Sequence, residues 1–179
     1  MKTNCSSSHP GSNNELQSIM KITVLGIGNI LMQDEGIGVV LMEALQGLRD
    51  WGSDVEFIDG GAGGLSLITI IEQAQRLLVL DAADMRLHPG DWRLILPVQI
   101  VQEDSLSQLT LHHVPFGETL ALCEQFFKRP PTKIFAIQPA VVDFGRQLSP
   151  LLQEALPQLV SAAAEVMEQE LKEAASLVE

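Results

Sequence analysis

The sequence predicts an α/β domain: a three-layer sandwich with helices on both faces of a twisted, mainly parallel five-stranded sheet that includes one antiparallel strand. Three observations predict it. Short β-branched or leucine-rich runs, each closed by Gly, Asp or Pro, alternate with stretches at helical spacing. Strands that alternate with helices imply parallel pairing through crossover connections, with both sheet faces covered. The chain has 179 residues, 46% of them apolar, which suffices for one sizeable core.

In chain order, Met1–Ser18 is rich in Ser, Asn and Gly and has no apolar h-region. Residues 1–19 therefore read as a flexible tail, not a secretory signal, with Met20 as an alternative start. Lys21–Gly26 (KITVLG) reads as the first buried strand, followed by a glycine-bearing loop and then helical spacing at Val39, Val40, Met42, Leu45 and Leu48. Val55–Ile58 is a second strand, ended by Asp59 and the run Gly60-Gly61-Ala62-Gly63-Gly64. Leu65–Gln75 is helix-like, and Arg76–Leu80 (RLLVL) is a third buried strand that stops at Asp81. His88-Pro89-Gly90-Asp91 signals a turn, so the fourth strand, Trp92–Leu96, is the one expected to run antiparallel. Pro97–Leu111 has no clear pattern; Phe116–Phe127 looks helical. Lys133–Ile137 (KIFAI) is a fifth strand, stopped by Gln138-Pro139. Ser149-Pro150 is a helix start, serine capping and proline in the first position. Leu152, Leu156, Leu159, Ala163 and Met167 then share one face, with an interruption expected at Pro157. One domain is expected over residues 20–173, with a C-terminal tail at 174–179.

The net charge is −12 and the pI about 4.6. Nucleic-acid binding rests on Lys and Arg neutralising phosphates, so nucleic acid and anionic membranes are both disfavoured. Cys5 and Cys123 are too few for a disulfide framework or a zinc knuckle, which points to a reducing, cytoplasmic setting.

Sites in open α/β sheets form beyond the carboxyl ends of the strands. There the sequence places Asp34 and Glu35, Asp59 with its glycine run, Asp81 and Asp84, and Gln138 and Asp143; His112 and His113 precede a helix. The loop Gly26–Gly38 begins as G-x-G, but the third glycine of a dinucleotide fingerprint would fall on Leu31, and Asp34 and Glu35 are ill suited to a pyrophosphate. Glu35, Asp81 and His112 or His113 suit a divalent transition metal with positions left open for substrate or water. Each residue also has a plainer role: Asp34 or Glu35 as an acid at a helix start, Asp81 as a cap, a loop histidine at the surface. The glycine run is either a tight turn or a mobile substrate clamp.

Taken together and in order, Gly26-x-Gly28-Asn29-x-Leu31-x-x-Asp34-Glu35-Gly36-x-Gly38, Asp59-Gly60-Gly61, Asp81-Ala82-Ala83-Asp84-Met85, His88-Pro89-Gly90-Asp91 and Gln138-Pro139 resemble the motifs of the [NiFe]-hydrogenase maturation endopeptidases. The resemblance runs from Met20 to about Met167. It implies a hydrolase that removes the C-terminal extension of the hydrogenase large-subunit precursor after nickel insertion. It also implies that the precursor supplies the nickel, with no organic cofactor. The family's metal-contacting residues fall on Glu35, Asp81 and His112, with His113 as the alternative register. Its substrate-recognition loop falls on Asp59, Gly60, Gly61, Ala62, Gly63 and Gly64, where members often carry Thr or Ser in place of Ala62. Glu35, Asp81 and Asp34 are the expected catalytic acids, either beside the metal or as a general base. A bulky precursor fits a monomeric enzyme. Two other readings stay open: a hydrolase with its own metal, and a non-enzymatic nickel-sensing chaperone.

Overall fold

The computed structural model describes residues 20–64, 66–97, 116, 119–120 and 123–177. Five strands, β1 (Ile22–Gly26), β2 (Val55–Asp59), β3 (Arg76–Ala82), β4 (Trp92–Ile95) and β5 (Thr132–Ile137), form one sheet in the order β2-β1-β3-β5-β4. β1 pairs in parallel with β2 and β3, and β3 with β5. β4 alone runs antiparallel, against β5, as the Pro89-Gly90 turn predicts. The helices are α1 (Ile37–Leu48), α2 (Leu67–Gln73) and α3 (Pro150–Ser176), and Phe116, Thr119, Leu120 and Cys123 are also helical.

The alternation of side chains along the central strands separates two cores. Ile22, Val24, Leu78, Leu80, Phe135 and Ile137 face one way, against Ile37, Leu41 and Leu45 of α1 and Leu152, Leu159, Ala163 and Met167 of α3. Leu25, Leu77, Val79, Ile134 and Ala136 face the other, against Leu67 and Ile71 of α2 and Phe116, Leu120 and Cys123. Cys123 is fully buried here, which explains its place in the sequence as packing. The sheet is thus covered on both faces, which accounts for the continuous apolar runs of β1 and β3.

α3 starts where expected: Ser149 accepts the Leu152 N–H at 3.4 Å, with Pro150 behind it. The interruption expected at Pro157 does not occur. Pro157 lies on the exposed side of the helix, which continues through it. It runs through Ser176, past the boundary at residue 173, with Ala174 fully buried.

The chain leaves β1 to one side for β2, then returns to the other side for β3. A crevice opens at such a reversal, between the carboxyl ends of β1 and β3. The loop Gly26–Gly38 and Asp81 both lie there.

Candidate active site

The loop after β1 is shaped by close backbone packing. Ile27 donates its N–H to the Leu80 carbonyl at 2.9 Å, extending the β1–β3 ladder. At Gly28, φ is +139°, and a Cβ there would lie 1.9 Å from the Glu35 carbonyl oxygen. At Gly38, in the first turn of α1, a Cβ would lie 2.2 Å from the carbonyl oxygens of both Ile27 and Leu80. Neither position admits any other residue, because the obstructing atoms are backbone. These glycines bring backbone against backbone and press the acidic turn Gln33–Gly36 onto the end of β3.

That turn makes its two acids unequal. Asp34 is fully buried, and its carboxylate faces inward. It accepts the N–H groups of Ala140 and Val141 at 3.0 and 2.8 Å on Oδ2, and that of Ser149 at 2.7 Å on Oδ1. A carboxylate holding three amides needs no counter-charge. Asp34 therefore clamps the loop after β5 and the start of α3 to the acidic turn, and its oxygens are committed inside the protein. Glu35, the next residue, is half-buried and free of that duty.

Asp81 lies in β3, at 2% exposure. Among the described residues, its Oδ2 has no hydrogen-bond partner. Burial pushes its pKa up to about 8; the Ala82 and Phe116 amides pull it down, while the nearby Glu35 carboxylate pushes it up. No cation answers it among these influences. A buried acid with one unpartnered oxygen beside a second acid is a costly arrangement that an incoming cation would relieve.

Asp59 ends β2 exposed, and its carboxylate accepts the Gly61 N–H at 2.7 Å, forming an Asx turn. Gly60 donates to the Gly26 carbonyl and Gly28 to the Gly61 carbonyl, both at 2.8 Å. The first half of the Asp59–Gly64 loop is thus fastened to the acidic loop through Gly60 and Gly61, and Ala62, Gly63 and Gly64 follow. His112 and His113 lie outside the described residues. Among the described residues, no three His, Cys, Asp or Glu side chains gather closely enough to hold a metal.

Sequence reasoning placed Gln138 at the strand stop and on the rim of the site, but gave it no role. Its buried Oε1 accepts the Met85 and Leu87 N–H groups at 2.7 and 3.2 Å, and its Nε2 reaches Asp84 Oδ1 at 3.3 Å. Gln138 so holds the segment that follows Asp81. The available signal was a polar residue at the end of β5, the strand paired with β3.

Residues 39–166 match the family HycI, hydrogenase maturation protease. The chain is 35% identical to the hydrogenase expression/formation protein HupD of Thiocapsa roseopersicina over 158 residues, covering 86% of this chain and 71% of HupD. It is 28% identical to the hydrogenase 2 maturation protease of Escherichia coli K12, covering 82% and 92% of the two chains. Its fold matches the hydrogenase maturating endopeptidase HybD from E. coli with a TM-score of 0.69, at 24% identity, over 84% of this chain and 94% of HybD. The chain belongs to the hydrogenase maturation protease family, as an endopeptidase that processes the C-terminus of a hydrogenase large subunit.

Proposed function

We propose that the chain removes the C-terminal extension of a [NiFe]-hydrogenase large-subunit precursor only after nickel is in place, and that Glu35, Asp81 and His112 meet that nickel. The observation that carries this reading is Asp81: buried, without a cation, unpartnered at Oδ2 among the described residues, and sensing Glu35. Carboxylate oxygens and an imidazole are donors that nickel(II) accepts. The metal arrives as part of the substrate, where it would act as a Lewis acid on the scissile carbonyl. The site then recognises its substrate through a required contact, since a precursor without the cation leaves two crowded acids unrelieved. Glu35 is the remaining acid placed to hold a proton near the reacting bond, because the oxygens of Asp34 are bonded inward. The loop Asp59–Gly64 supports substrate recognition as an edge fastened to the acidic turn. The reading also carries the cytoplasmic setting and the monomeric state expected from the sequence.

Incubation with nickel-loaded precursor, followed by mass spectrometry, tests it. The wild type should produce a mass loss equal to the C-terminal extension. Glu35→Gln, Asp81→Asn and His112→Ala should each leave the precursor intact while melting cooperatively. Full processing by Glu35→Gln/Asp81→Asn would sink the assignment. An unchanged precursor mass with a stable wild-type complex would mean a chaperone instead.

A further inference from the structure

Eleven large apolar side chains are exposed among the described residues, and five of them fall on two adjoining loops. Ile30 and Leu31 lie in the loop after β1, at 52% and 40% exposure. Val141, Val142 and Phe144 lie in the loop after β5, at 42%, 54% and 80%. The loops are bonded together: Gly145 donates to the Leu31 carbonyl at 2.8 Å, Gln33 to the Gly145 carbonyl at 3.0 Å, and Asp34 to the Val141 carbonyl at 3.2 Å. The Asp34 carboxylate adds its bonds to the Ala140 and Val141 amides. Gln33 is held at φ +50°, a conformation that few residues other than glycine adopt. The apolar side chains are therefore presented outward on a fixed frame.

We propose that Ile30, Leu31, Val141, Val142 and Phe144 form a preorganised docking platform for an apolar segment of the precursor polypeptide. This rests on the reading of Glu35 and Asp81 as the place where that precursor is cut. Continuity with the site selects the occupant. Ile30 packs its backbone against the acidic turn, so that a Cβ on Gly36 would lie 2.8 Å from the Ile30 Cα. A folded substrate that brings a cation to Glu35 and Asp81 must lie over this rim. Clustered exposed apolar residues on a soluble fold mark an interaction surface, and a rigid one binds without a large ordering cost. The chain's charge of −12 argues against an anionic membrane as the occupant. Asp143, the one charged residue within Val141–Phe144, turns its Oδ1 onto the Phe144 N–H at 2.7 Å.

Steady-state cleavage of nickel-loaded precursor tests the platform. Phe144→Ser and Ile30→Ser/Val142→Ser should each raise KM about tenfold or more, with kcat within about twofold of wild type. Phe144→Leu should restore most of the loss. Hydrogen exchange of the wild-type chain should slow at residues 29–33 and 140–146 when precursor is added. Unchanged KM in a folded Ile30→Ser/Val142→Ser/Phe144→Ser variant, or unchanged exchange in a mixture that does cleave, overturns the platform. Dimerisation in sedimentation that Phe144→Ser abolishes assigns the face to a second copy of the chain and also overturns it. A wild type that binds precursor but never cuts it refutes the cleavage reading instead, and exchange protection then still decides the platform.

Discussion

The two ends of β3 treat buried charge in opposite ways. At its start, Arg76 is only 5% exposed and fully answered. Its Nε and Nη2 reach Glu170 Oε2 at 3.2 and 3.0 Å, and Nη2 reaches Glu173 Oε2 at 2.8 Å. Lys133, from the paired strand β5, closes the group against Glu170 and Glu173. Near its other end, Asp81 is as deeply buried, and its charged neighbour Glu35 has the same sign. One strand thus joins a self-sufficient cluster to an incomplete one. The first ties the sheet to the last turns of α3. The second is left unrelieved among the described residues, and under the proposed function its relief would come with the substrate.

If the cluster at the start of β3 serves stability, breaking it should show in melting, and not in catalysis per folded molecule. Arg76→Met leaves Glu170 buried with Lys133 as its only cation among the described residues. Removing one partner of a buried pair costs about 3–5 kcal/mol. For a chain of this length that corresponds to a melting-point drop of roughly 10 °C. The paired change Arg76→Met/Glu170→Leu should recover much of it, since apolar replacements of both partners are tolerated. A cleavage rate that falls with Arg76→Met well below the melting point would erase the contrast between the two ends.

Asp81 should behave the other way: a substitution that ruins processing should strengthen the fold. Its folded pKa of about 8 lies above the ordinary value of 3.8. A raised acid favours folding while protonated, so its penalty begins as pH climbs past about 4 and is complete above about 8. Asp81→Asn removes that penalty. In metal-free chain, the variant should gain on the wild type between those limits, by a few kcal/mol at pH 9. Melting curves of both proteins from pH 4 to 9 measure the gap; a gap independent of pH would mean that the Asp81 pKa is not raised by folding.

How much of this was legible in the sequence depends on how local each cause is. The strands were legible because their apolar runs and stops are continuous, and the antiparallel β4 because its turn lies next to it. Asp81 was legible as an acid beyond a buried run. The resemblance singled out Glu35 over Asp34, but the physical cause of their inequality was not legible. The inequality is decided by the amides of Ala140, Val141 and Ser149, more than a hundred residues away, which a one-residue shift would have offered to Glu35. The Arg76–Glu170 pair was hidden by its separation of 94 residues. Gln138 needed the β3–β5 pairing before its bonds to the segment after Asp81 meant anything.

The smallest expected effect distinguishes the two ends by sign. Glu173 is half exposed, and its pKa is lowered chiefly by the hydrogen bond from Lys133, with Arg76 adding to it. Burial alone would lower the pKa of Lys133; its bonds to Glu170 and Glu173 raise it instead. For a lowered acid, the stabilisation is complete above the ordinary value of 4.5 and disappears as pH falls through the folded value. For a raised lysine it is complete below 10.5 and lost as pH rises further. Glu173→Gln should therefore cost under about 1 kcal/mol at neutral pH, being screened by solvent, and nothing once the pH has fallen through the folded value. On acidification the start of β3 loosens while the Asp81 end relaxes. A double variant, Glu173→Gln/Asp81→Asn, should flatten the stability profile at both limbs, because the two sites sit far enough apart along β3 to add.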